Sequence, residues 1–262
     1  MNSLKVLLLL SVTAVSTQNF TQIRSEIQEK LNENLLAKRS RIDLVAIELK
    51  TLLNDFKQHY QKMETLLCLC ADKNDTKIYC KLINSEINLA YNSLHFESFP
   101  LELQAMAIHL FGPSIQLYED ILDSISNATN AVECLSQTKS SFIDIFKKFF
   151  ETTRDVIIKS VHKLKASILV TQGEIDKFVA NRSAHILICT GIEKNICECS
   201  NEYISLNWKS TILAIKQFQS NVEIAADKIN DETIVDIAVK SGITEESMKS
   251  KILEISECAK GN

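Results

Sequence analysis

Apolar residues recur at spacings of three and four along most of the chain. Ile42, Val45, Leu49, Leu52, Phe56, Tyr60, Met63 and Leu67 form one series, and Ile23, Ile27, Leu31 and Leu35 extend it toward the N-terminus. This spacing keeps every member on one face of a 3.6-residue turn, so an amphipathic helix is predicted from about Thr21 to Leu69. At ~1.5 Å per residue it would reach roughly 70 Å. The apolar face lapses at Lys38, and a kink or break is expected near Ala37–Arg41. Residues 80–98 repeat the pattern with Ile83, Ile87, Tyr91 and Leu94. Phe99-Pro100 ends that helix, because a residue before proline is driven out of the helical region. A short helix from Leu101 to Leu110, a turn at Gly112-Pro113 and a helix from Ser114 to Gln137 are expected next.

The second half begins with Phe142, Phe146, Phe149, Phe150, Ile157, Val161, Leu164 and Ile168 on one face. This stretch reads as nearly continuous with the preceding helix, from Ser114 to Gln172. A bend fits at Gly173, after which helix resumes to Cys189. Residues 199–229 are helical in pattern. Asp231 can cap a short helix stopping at Gly242, and Thr244 can cap the last one. The chain holds five Gly and two Pro, where average usage of roughly 7% and 5% would give about thirty such residues. Sheets need many such turns, so the fold class is all-α.

The first residues carry different information. Lys5 is a positive n-region, Val6 to Leu10 open an apolar h-region, and Ala14 and Ser16 fit cleavage before Thr17. Residues 1–16 therefore read as a secretory signal peptide. The apolar run is far short of the ~18–20 residues of a spanning helix, and no membrane span is expected. Loss of Lys5 takes the net charge from −4 to −5. With no basic stripe, nucleic acid is excluded as an expected partner, and nothing draws the chain to anionic lipid. Sequons at Asn19, Asn74, Asn127 and Asn181 then predict a secreted glycoprotein, with each occupied site facing solvent.

The eight cysteines expose a repeat. "CLCADKNDTKIYC" (68–80) answers "CTGIEKNICEC" (189–199): Cys70 falls on Cys189 and Cys80 on Cys199, both at an offset of 119 residues. The same offset puts Ile23 on Phe142, Ile27 on Phe146, Leu31 on Phe150, Ile42 on Val161 and Phe56 on Ile175. Cys134 and Cys258 each follow a Glu, 124 residues apart. An internal duplication is expected, giving two tandem disulfide-stapled helical modules, 17–139 and 140–262. An even cysteine count in a secreted chain points to four disulfides, with none crossing between copies because each copy holds four cysteines. The preferred pairing is Cys70–Cys80 with Cys68–Cys134, and Cys189–Cys199 with Cys197–Cys258. A crossed version, with Cys68–Cys80 and Cys70–Cys134, fits nearly as well.

Other chemistries are poorly served. Cys68-Leu69-Cys70 is too tight for a zinc pair, His59 and His95 are not at ligand spacing from it, and C-x-x-C is absent. No metal and no cofactor is expected. Walker, G-x-S-x-G, H-E-x-x-H, G-x-G-x-x-G and EF-hand patterns are all missing, and His59, His95, His109, His162 and His185 are scattered. The expectation is that the protein is not an enzyme. His109 lies among apolar neighbours and reads as packed or partly exposed. Trp208, at helical spacing from Ile204 and Leu213, reads as core rather than a stacking platform. Phe142, Phe146, Phe149 and Phe150 read first as core and second as the lining of an apolar ligand pocket.

The cysteine pair about ten residues apart, the helical stretch after it and the last helix ending in "EISECAKGN" (254–262) together resemble the TsetseEP-type family of insect secreted proteins. The resemblance covers the two copies separately, and Cys68 and Cys197 fall outside its plan. It implies an invertebrate secreted protein without enzymatic activity, linked to gut or immune settings, and carries over no site residues. The functional expectation is a secreted, glycosylated interaction protein that binds an extracellular macromolecule. The alternative is a carrier of a small apolar ligand, such as a lipid or semiochemical, in a helical-bundle cavity.

Overall fold

The computed structural model describes the backbone of residues 2–71, 74–191 and 194–261, with side chains for 19–34, 36, 40–71, 75–191 and 194–261. The side chains of the expected signal peptide, residues 1–16, lie outside the described residues. The described chain is built of helices joined by short turns: α1 (Asn2–Leu67), α2 (Asn74–Ser93), α3 (Phe99–Ile125), α4 (Ala131–Thr190) and α5 (Ile196–Lys260). No strand occurs among the described residues.

Several expected breaks are absent. α1 runs unbroken through Ala37–Arg41. α3 passes straight through Gly112-Pro113, where a turn was expected. Proline cannot bond the carbonyl four residues back and crowds it. Phe111, Ser114, Tyr118 and Leu122 are all buried around the proline, so burial holds the helix together. Beside it, Ser241 Oγ donates to the Leu110 carbonyl at 2.9 Å. α4 likewise continues through Gly173 without an end.

α5 continues through Gly242, so Gly242 is not a stop. The Thr244 hydroxyl donates back to the Lys240 carbonyl at 2.8 Å within the helix, and Thr244 is not a cap. Conversely, the expected continuity from Ser114 to Gln172 fails. α3 ends at Ile125, and the polar run Ser126–Asn130 turns before α4 begins. Short backbone bonds there, from Ala128 to Ile125 and from Ala131 to Ala128, close the turn.

The chain packs as two compact units. Unit 1 comprises Met1–Asp43, Leu101–Ile158 and Thr233–Asn262; unit 2 comprises Leu44–Pro100 and Lys159–Glu232. Each draws on both expected modules, so the packing does not divide at residue 139. A long amphipathic helix must cover its stripe along its length, and in each unit segments from the other half of the chain supply the cover.

Unit 1 has an aromatic core. Phe111 stacks on Phe149 at 4.1 Å and meets Phe146 edge-on at 5.4 Å. Tyr118 lies 4.8 Å from Phe142. Ile27, Leu122, Leu135, Met248 and Ile252 fill in around the rings. At the surface Arg24 bridges Glu119 and Asp123.

Unit 2 has a largely aliphatic core, in which Leu49, Leu53, Ile83, Ile87, Leu164, Ile168, Ile204 and Ile215 are buried. Tyr60 is also buried there, and burial raises its phenol pKa. On the margin His59 Nδ1 meets Asp176 at 2.7 Å, while its Nε2 contacts Gln172.

Candidate functional site: the cystine end of unit 2

The last carbonyls of a helix have no partner within it. α1 ends at Leu67, and Cys70 follows in the left-handed region with φ 67°, a rare conformation for a residue with a side chain. Three disulfides converge on this end: Cys68–Cys80, Cys70–Cys197 and Cys189–Cys199, with Cα separations of 5.6, 5.1 and 5.7 Å. They tie the end of α1 to α2 and the start of α5, and the end of α4 to that same start.

Arg182 of α4 lies fully buried in this region. Its Nη2 donates to the Leu66 and Leu67 carbonyls at 2.8 and 3.0 Å and to Ser200 Oγ at 2.9 Å. Ser200 passes the bond on to the Leu69 carbonyl at 2.8 Å. The guanidinium thus caps the negative end of α1 from another helix, the favourable position for a cation. Its carbon sits 4.7 Å from the centre of the Tyr203 ring. Burial pulls its pKa down to about 10, and Nε and Nη1 have no hydrogen-bond partner. The arrangement orders a helix end.

The disulfides correct part of the expected pairing. Cys189–Cys199 forms as preferred, and Cys68–Cys80 follows the crossed version. Cys70–Cys197 and Cys134–Cys258 join the two halves of the chain, so the expectation that no bond crosses between copies is overturned. Parity counts cysteines without saying which are neighbours. In unit 1 the start of α4 lies beside the end of α5, which brings the Cα atoms of Cys134 and Cys258 to 5.8 Å. No cysteine is free.

The other candidate residues disperse. Asn19, Asn127 and Asn181 are exposed, as sequons require, and the side chain of Asn74 lies outside the described residues. Phe142 and Phe146 are wholly packed in unit 1. Phe149 and Phe150 border a cavity of about 20 Å³ with Ile42, Ala107 and Thr153. A water needs ~10–15 Å³ by the same measure and a small-molecule site ~300–1,000 Å³, so this space is water-sized.

His109 is exposed. Trp208 is half-buried and stacks on Tyr79 at 5.0 Å, whereas Leu213, expected on its packed face, is 68% exposed. Among the described residues no three His, Cys, Asp or Glu gather where they could hold a metal ion, and no helix is long and apolar enough to cross a membrane.

Arg182 was not singled out by sequence reasoning. Its signal was a charge lying between Ile175 and Ile186, at helical spacing, on a face otherwise apolar. Comparison with protein-family models, curated proteins and solved structures returned no match.

Proposed function

We propose that the protein is secreted and glycosylated and acts by presenting its surface to an extracellular macromolecule, without chemistry of its own. One contrast carries this reading. In unit 2 an open groove of about 430 Å³ between α4 and α5 displays Val170 and Ile224, which are 65% and 63% exposed, whereas the cavity beside Phe149 and Phe150 is about 20 Å³. Outward apolar side chains of this kind suit association more than storage of a ligand. The oxidised cysteines fit a secreted chain.

We also read the two halves as diverged copies. At the 119-residue offset, Ile27 and Phe146, Ile42 and Val161, Leu49 and Ile168, and Phe56 and Ile175 are buried in pairs. The kinship with TsetseEP-type secreted proteins, and the gut or immune setting it implies, belongs to the same proposal.

The test is capture from extracellular fluid with the purified secreted protein, combined with lipid extraction. A retained macromolecule that is lost with Val170→Lys/Ile224→Lys but kept with Leu253→Lys would support the reading. Stoichiometric lipid with no retained macromolecule would replace it with the carrier.

A further inference from the structure

The polar groove at one end of unit 1 has a composition that the interaction reading leaves unused. It lies between the Asn19–Glu26 stretch of α1 and the α3–α4 turn with the start of α4, and its volume is about 520 Å³. Asn19, the acceptor of one sequon, is itself in the wall, and Thr129 of the Asn127 sequon faces it from the opposite side. We propose that this groove is the seat of the N-glycan carried by Asn19, with the first sugar rings lying along it. The proposal rests on the glycoprotein reading above.

Three features point to a sugar. First, the occupant is delivered by a covalent bond. Asn19 Nδ2 would lose a proton and join the anomeric carbon of the first N-acetylglucosamine, displacing the lipid pyrophosphate of the glycan donor. The chain thus starts inside the groove. Second, the walls offer donors and acceptors already held in place. Gln22 donates to Glu26 at 3.2 Å across one turn of α1, and Gln137 donates to Glu133 at 3.4 Å across one turn of α4. Sugar hydroxyls can donate to the carboxylates and accept from the amides. Third, Ile23 and Val132 supply an apolar strip, which suits the C–H face of a pyranose ring. The volume lies within the ~300–1,000 Å³ of small-ligand clefts. Asn181 offers a comparison within the same chain: it is exposed on α4 of unit 2 and lines none of the described clefts.

The experiment uses the full secreted chain. Mass spectrometry first establishes occupancy at each site, and then release by a peptide N-glycosidase is followed site by site, on native and on denatured protein. The seated glycan should leave Asn19 at least tenfold more slowly than Asn181 in the native protein, and at the same rate after denaturation. Ser136→Arg, which puts a long side chain into the groove from an exposed helical position, should bring release at Asn19 close to that at Asn181. Equal native rates at the two sites would overturn the proposal, as would an unmodified Asn19 beside an occupied Asn181. If every sequon proved unmodified, the glycoprotein reading would fall with it.

Discussion

Units 1 and 2 are built from the same kind of long amphipathic helix and are held together differently. Unit 1 has one disulfide, Cys134–Cys258, and a core in which Phe111, Phe142, Phe146, Phe149 and Tyr118 pack ring against ring. Unit 2 has three disulfides at one end and a largely aliphatic core, with the Phe56–Tyr60 pair as its fully buried rings, that admits a buried guanidinium. Large aromatic rings carry much burial per residue, so unit 1 can rely on packing. Where unit 2 must end α1 and turn the chain twice, covalent bonds and Arg182 do what packing cannot. The lesson is that helix ends, more than helix faces, set where crosslinks are needed.

The largest expected effect separates the long crosslinks from the short ones. Cys134–Cys258 spans 124 residues, for which the chain-entropy relation gives about 5 kcal/mol, against about 3 kcal/mol for the 10-residue span of Cys189–Cys199. Replacing Cys134 and Cys258 together by Ser should therefore lower denaturant stability more than replacing Cys189 and Cys199. Equal losses would mean that native packing, not loop closure, sets the value of these bonds.

Phe146→Ala comes next, with an expected loss of about 3–5 kcal/mol for a fully buried ring that contacts Phe111 and Tyr118. Urea titration would check it; a loss under about 1 kcal/mol would show that the aromatic cluster collapses around the gap.

Arg182→Met probes unit 2. It removes the donor from the Leu66 and Leu67 carbonyls, at a cost of about 1–3 kcal/mol, while relieving a buried charge. A destabilisation in that range with all three neighbouring disulfides intact is expected. An unchanged unfolding midpoint would show that the cap contributes nothing net.

The smallest effect is acid sensitivity. Bonds from Lys139, Lys165, Lys194 and Lys163 hold Glu26, Glu48, Glu202 and Glu232 below their ordinary 4.5. A depressed carboxylate stabilises the fold above its unfolded value and loses that contribution as pH falls through the folded one. Stability should thus decline slightly below about pH 4.5, and less so at high salt, which screens exposed pairs. A decline that is indifferent to salt would point away from these pairs.

The helix faces were legible because burial follows period. Ile42, Val45, Leu49, Phe56, Tyr60, Met63 and Leu67 lie buried where the spacing put them, whereas Leu52 of the same series is half-buried and the adjacent Leu53 is packed instead. The ends were not. Pro113 and Gly242 are local breakers, yet the buried neighbours Phe111, Ser114, Ser241 and Met248 hold each helix straight on, a tertiary effect that no local propensity contains. Ser126–Asn130, with only polar residues and one Ala, turns without Gly or Pro. Disulfide partners depend on which helix ends meet, and counting cysteines within a copy could not supply that. Arg182 was readable as a charge on an apolar face, but its carbonyl partners lie on a different helix, more than a hundred residues earlier in the chain.

Disulfides join the two halves of the chain inside each unit, and tryptic mapping of the purified protein without reduction is the decisive check. Peptide 82–139 carries Cys134, peptide 252–260 carries Cys258, and peptide 63–73 carries both Cys68 and Cys70. The structure requires 82–139 to run with 252–260 alone, and 63–73 to run in one cluster with 78–81, 183–194 and 195–209. Reduction should release every peptide. Recovery of 82–139 bonded to 63–73, or of any of these cysteines as a free thiol, would contradict the account.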